Sequence, residues 1–194
     1  MIRFILLIIF ICVASIARED NGWTSLHHAI FSANESEIKK LIANKKELKV
    51  ASKAGITPLH MAVKMRRLDI VKLLINQGVD VDVEDGNGLT PLHYAIGQNL
   101  SKIARYLIIN EADMDSANKY GITPLHQAAY SGNVKLIQFM LDNGATVDLR
   151  NHNGNTACQM AFAKRNFGVV NVLLAYSKFP CGEEKQEKEK LFLK

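Results

Sequence analysis

Gly121-Ile122-Thr123-Pro124-Leu125-His126 repeats Gly88-Leu89-Thr90-Pro91-Leu92-His93, which itself repeats Gly55-Ile56-Thr57-Pro58-Leu59-His60. A weaker copy, Gly22-Trp23-Thr24-Ser25-Leu26-His27, lies upstream. A decayed one, Gly154-Asn155-Thr156-Ala157-Cys158-Gln159, lies downstream. The glycines fall at 22, 55, 88, 121 and 154, so every step is 33 residues with no insertion. A constant period of this length means one supersecondary unit used repeatedly, each copy burying its apolar face against the next.

Each unit reads the same way outward from the hexapeptide. Thr57, Thr90 and Thr123 suit a helix N-cap, where a hydroxyl accepts from the orphan N–H groups of the first turn. Pro58, Pro91 and Pro124 follow at the first helical position, where a missing N–H costs nothing. Leu59, Ala62 and Val63 then mark one face of a short helix, as do Leu92, Ala95 and Ile96. A second apolar cluster follows at helical spacing: Ile70, Val71, Leu74 and Ile75 in one unit, Leu136, Ile137, Met140 and Leu141 in another. Gly78 and Gly144 mark the end of the second helix, and the chain then runs to the next turn. Unit boundaries fall near 19–51, 52–84, 85–117, 118–150 and 151–180.

Period and Thr-Pro-Leu-His core together resemble the ankyrin repeat family over roughly residues 19–180. The resemblance implies an all-α solenoid of stacked helix-turn-helix units joined by β-turn or hairpin loops. It implies that His60, His93 and His126 are structural, holding adjacent units in register across the turn. It also implies that another protein is bound on the turn tips and the exposed side of the first helices. Those positions are Lys53 and Ile56; Asn87 and Leu89; Lys119, Tyr120 and Ile122; and His152 at the tips, with Met65, Gln98 and Tyr130 on the helices. Trp23, Ile56, Leu89 and Ile122 share one offset and form an apolar row, expected either to shield the turn or to make a hydrophobic seam in which Trp23, Tyr120 and Tyr130 are the anchors. No cofactor is expected, and a monomer suffices.

Other chemistry finds little support in the sequence. Equivalent histidines in a helical stack stand about 10 Å apart, too far to share an ion with bonds near 2 Å. No nucleophile elbow, phosphate loop, His-Glu-x-x-His or Cys-x-x-Cys is present, so no enzyme is expected. Asp80, Asp82, Glu84 and Asp85 approach a calcium-loop alternation without its closing Glu, and are expected as exposed turn carboxylates. The net charge of +5 is mild and its lysines are scattered, which argues against nucleic acid as the partner. Cys158 replaces the core Leu of the repeat and is expected to point inward as a small buried hydrophobe, which weighs against a bond to Cys181; that disulfide is the alternative in an oxidising compartment.

Residues 1–17 stand apart. Arg3 supplies a positive charge, Phe4 to Val13 an unbroken apolar run of ten, and Ala14-Ser15-Ile16-Ala17 a small-residue exit. These are the three parts of a secretory signal peptide, cut after Ala17. The apolar run is shorter than the ~20 residues of a spanning helix. A secreted or periplasmic protein is expected; an uncleaved membrane anchor and a buried N-terminal helix are the alternatives. At the other end, residues 181–194 form a tail, charged from Glu183 to Lys190 and tipped by Leu191-Phe192-Leu193. It is expected either as a solvated end or as a cover for the apolar last helix, Val169–Tyr176.

Overall fold

The computed structural model describes residues 21–45, 47–178 and Cys181. The signal segment and the tail beyond Cys181 lie outside the described residues. Ten helices form five consecutive pairs among those residues: α1 Ser25–Phe31 with α2 Glu35–Asn44, α3 Pro58–Lys64 with α4 Leu68–Asn76, α5 Pro91–Gly97 with α6 Ser101–Ile109, α7 Pro124–Ser131 with α8 Val134–Asp142, and α9 Ala157–Ala163 with α10 Phe167–Leu174. Each odd-numbered, inner helix packs against its own partner and against the inner helices of neighbouring pairs. The architecture is all-helical, an ankyrin-type solenoid.

Local chemistry sets the inner helices. Thr57, Thr90 and Thr123 are N-caps in extended backbone whose hydroxyls accept from the N–H of His60, His93 and His126. Proline follows each cap at the first helical turn. Between neighbouring inner helices lie Ala62, Ala95, Ala128 and Ala161, all fully buried. A methyl side chain lets helix axes approach closely, while Leu59, Leu92 and Leu125 fill the space toward the outer layer. The outer helices contribute Val71 and Leu74, Ala104 and Leu107, and Ile137 and Met140 to one continuous core.

The turns between units are stitched by backbone. Lys53 N donates to Asn21 O at 2.9 Å, Gly86 N to Ala54 O at 2.8 Å, Lys119 N to Asn87 O at 3.0 Å and His152 N to Tyr120 O at 3.1 Å. This stitch explains the invariant spacing of the hexapeptide glycines. Gly55 has φ +77°, and a Cβ there would lie 2.4 Å from the Gly86 nitrogen. Only glycine tolerates both the left-handed backbone and the approach. Strand pairing is confined to one isolated bridge, Arg150 with Thr156, so the expected hairpins are tight turns among the described residues.

A second ladder runs along the loops that follow the outer helices. Asp113 N donates to Asp82, Thr146 N and Oγ1 to Asp115, and Lys178 N and Ser177 Oγ to Asp148. Each carboxylate thus ties its loop to the next unit. Burial is the main reason the Asp82 carboxyl sits above the ordinary range. These acids accept from backbone and hydroxyl groups, a structural use of carboxylates in the loops.

At the C-terminal end Cys158 is disulfide-bonded to Cys181, with Cα atoms 5.2 Å apart. That spacing is within the range a disulfide spans. Cys158 therefore fills the core position of Leu125 and also pins the chain leaving α10 back onto α9.

Candidate functional site: turn tips and inner helices

The repeated histidines are consumed by structure. In each of the first four units the backbone N–H of the capping Thr donates to the histidine Nδ1: Thr24 to His27, Thr57 to His60, Thr90 to His93 and Thr123 to His126. The opposite ring nitrogen, Nε2, lies 2.8 Å from Ile56 O for His27, 2.9 Å from Leu89 O for His60, 3.0 Å from Ile122 O for His93 and 3.0 Å from Asn155 O for His126. A carbonyl only accepts, so Nε2 carries the proton and Nδ1 is the acceptor. The neutral ring thus satisfies its own helix start and the next unit's turn together. Burial, opposed by the bond to the carbonyl, holds all four imidazoles below their ordinary 6.5. With both nitrogens committed, no lone pair remains to ligate a metal or take a proton from a substrate.

Side chains also close the turns from within. Asp85 accepts from Asn87 N at 2.7 Å and Leu89 N at 2.9 Å. Asn118 accepts from Tyr120 N and Ile122 N, and Asn151 from Asn153 N and Asn155 N. Asp85 is the one acid at this position among the described residues. The Tyr94 hydroxyl donates to it at 2.8 Å. Desolvation raises the Asp85 carboxyl, and the bonds from Leu89, Asn87 and Tyr94 outweigh it, leaving it below the ordinary carboxylate range. Desolvation and the same carboxylate push the Tyr94 phenol well above its ordinary 10.0. Asp85 is therefore buried and bonded, contrary to its expected place among exposed carboxylates. Its asparagine counterparts were the available signal, since all three side chains offer an acceptor at the same offset.

The residues expected to meet a partner divide by exposure. Tyr120 is 72% exposed at a tip, and Tyr130 is 51% exposed at the end of α7. Lys53, Asn87, Lys119 and His152 are exposed at their tips. Met65 and Gln98 are half-buried where α3 and α5 end, Met65 against the core. The apolar row is corrected: Ile56 is only 8% exposed and belongs to the core, while Trp23, Leu89 and Ile122 are half-buried. The backbone at this offset is held alike in four units, its carbonyl by the preceding unit's imidazole and its N–H by a side chain of its own turn. The side chain decides the rest: apolar Ile56, Leu89 and Ile122 pack toward the stack, where burial removes them from water, and polar Asn155 is exposed. Trp23 packs edge-on to His28 and tilted on Phe31 at the N-terminal end.

Two features of the surface were not anticipated. Lys164 Nζ stands 4.2 Å from the centroid of the Tyr130 ring. The Asn166 amide donates to Ala129 O and Tyr130 O, closing the end of α7 from the following unit. Tyr130 is therefore presented on a braced helix end. The cavities found are open clefts elsewhere, such as one of about 390 Å³ among Glu35, Lys39, Arg67, Asp69, Ile70, Lys72, Leu73 and Asn76. No group of three or more metal-ligating side chains converges among the described residues.

Fold and site together define a repeat protein whose recurring polar residues are internal fasteners and whose turn tips and inner-helix ends carry exposed side chains. The family model for ankyrin repeats (3 copies) matches residues 26–118 and 98–185, and the chain belongs to that family. Ankyrin repeats are generally non-catalytic and typically bind other proteins. No curated protein matches the chain.

Proposed function

We propose that the protein is an exported, non-catalytic binding module of five ankyrin units that holds a partner protein on its turn tips and inner helices. The observation that carries this is the division of labour on that face. The repeated histidines His27, His60, His93 and His126 are buried and occupied in fastening. Tyr120 and Tyr130 stand exposed on rigid backbone with no intramolecular task that demands exposure. Large aromatic side chains held in place lose little entropy on contact and dominate interface energies.

Export rests on two supports. Residues 1–17 carry the three parts of a signal peptide. The Cys158–Cys181 disulfide belongs to an oxidising compartment. A membrane-tethered scaffold is the second reading, and it requires those 17 residues to stay attached. Mass spectrometry of the native N-terminus decides between them: a chain beginning at Arg18 means export, and one beginning at Met1 means tethering.

For the binding face, Tyr120→Ala and Tyr130→Ala are expected to weaken partner binding at least tenfold together. Their effect on stability should stay within about 1 kcal/mol, as for other surface changes. Thermal melts and titration with the native partner read both quantities. A large loss of stability with intact binding overturns the assignment.

A further inference from the structure

The tips and inner helices differ in charge from the rest of the molecule. They comprise residues 21–32, 52–65, 85–98, 118–131 and 151–164. These segments hold four lysines, Lys53, Lys64, Lys119 and Lys164, and a single carboxylate, Asp85. Every other Asp and Glu between residues 21 and 178 lies on the outer helices and their loops, mixed there with Lys and Arg. The four lysines are exposed, whereas Asp85 is buried and saturated by two backbone N–H groups and the Tyr94 hydroxyl. Four exposed cations against one buried carboxylate leave this face with a net positive charge.

Aromatic rings accompany the charge. Lys64 Nζ lies 5.9 Å from the Tyr94 ring centroid and Lys164 Nζ 4.2 Å from that of Tyr130, while Lys119 immediately precedes the exposed Tyr120. Lys64 and Lys164 are thus set over rings, and Asp85, bonded to the Tyr94 hydroxyl, is the one carboxylate these segments hold. We infer that this face takes an acidic, extended segment of its protein partner, with carboxylates meeting Lys64, Lys119 and Lys164 and apolar side chains meeting Tyr120 and Tyr130. The inference rests on the binding-face reading above and adds the chemistry of the occupant. Lys64 and Lys164 are three units apart, about 30 Å at the usual helix-packing spacing. At about 3.3 Å per residue an extended segment of about nine residues covers that distance. A nucleic acid fits less well: the face carries no arginine, and its few cations are spaced by whole units rather than by phosphates.

The test uses the mature chain and fluorescent 12-residue peptides in three sets. One alternates Asp or Glu with Leu and Val, one replaces the acids by Ser, and one replaces them by Lys. A 12-nucleotide single strand is the fourth probe. Fluorescence anisotropy is read at low and at physiological salt. The acidic set is expected to bind at least tenfold more tightly than the neutral set, to weaken as salt rises, and to lose at least tenfold with Lys64→Glu, Lys119→Glu and Lys164→Glu combined. Circular dichroism melts of that variant confirm that the stack is intact. Equal binding of neutral or basic peptides, or tighter binding of the oligonucleotide, overturns the inference. So does the absence of binding by every probe. The two readings separate cleanly on the native partner. Loss with the tyrosine variants but not with the lysine variant keeps the face and discards the charge; indifference to both sets discards the face.

Discussion

The middle of the stack and its C-terminal end are built from one pattern and meet different surroundings. Ile96 on α5 is 1% exposed, and Phe162, at the same offset on α9, is 46% exposed. Ile108 is buried on α6, and Leu174, its counterpart on α10, is exposed. In the middle a following unit covers these positions; beyond α10 no further helix pair is described. The end unit has also lost the histidine. Gln159 still accepts from Thr156 N at 3.0 Å and reproduces the local half of the capping box. It makes no bond across to another unit, which only a neighbour could supply. What the end unit has instead is a covalent tie, Cys158 to Cys181. The comparison teaches that two of this repeat's signature residues, Leu and His, serve an interface as much as a unit, and give way where one interface stops.

The comparison can be broken first in the core. Leu92→Ala is expected to cost about 3 kcal/mol, in the range of buried Leu truncations, because Leu92 is fully enclosed between α5 and its neighbours. Phe162→Ala at the open end should cost about 1 kcal/mol or less, since roughly half of that ring already meets water. Urea unfolding of the two variants measures the gap. Similar costs would mean that something covers the end face.

Reduction of the disulfide is the next lever. Its partners are 23 residues apart, so opening the loop should release about 3 kcal/mol in the chain-entropy account. The effect should be local. Amide exchange is expected to quicken in α9 and α10 while α3 to α6 keep their protection, because repeat stability is a sum of neighbouring terms. Uniform loss of protection would show that the stack unfolds as one cooperative body.

The smallest expected effect is acid sensitivity. His27, His60, His93 and His126 are all held below 6.5 in the folded chain, chiefly by burial. The unfolded chain therefore binds protons first as pH falls. The stability these rings confer is complete above about 6.5 and declines as pH drops from there through their folded values. Protonating Nδ1 also removes the acceptor for the capping Thr N–H. The fifth unit, with Gln159, lacks this liability, so between pH 6.5 and 5 exchange should rise in the first four units before it rises in α9. A His93→Gln variant should flatten the slope in its own unit.

Much of this molecule was legible before any coordinates. The hexapeptide caps are local, with Thr and His three residues apart on one helical turn, and such bonds form wherever the dihedrals are helical. The period is equally local in origin, because each glycine marks a left-handed turn. The contact face was only partly legible. Tyr120 and Tyr130 emerge exposed, but Ile56 turns inward and joins the core shared between units. Asp85 reads as a surface acid until Tyr94, on the helix that follows the turn, is seen to donate to it.

Sequence alone settled the repeat, its period, its helix starts and its family, because those depend on interactions within a few residues and on their regular recurrence. Tertiary structure alone decided which members of a recurring position are covered, which carbonyl each imidazole reaches, that Asp85 is buried against Tyr94, and that Cys158 meets Cys181. Those outcomes depend on atoms 9 to 37 residues away along the chain, from the bond of Tyr94 to Asp85 to that of Asn166 to Ala129, and proximity of that kind exists only once the chain has folded.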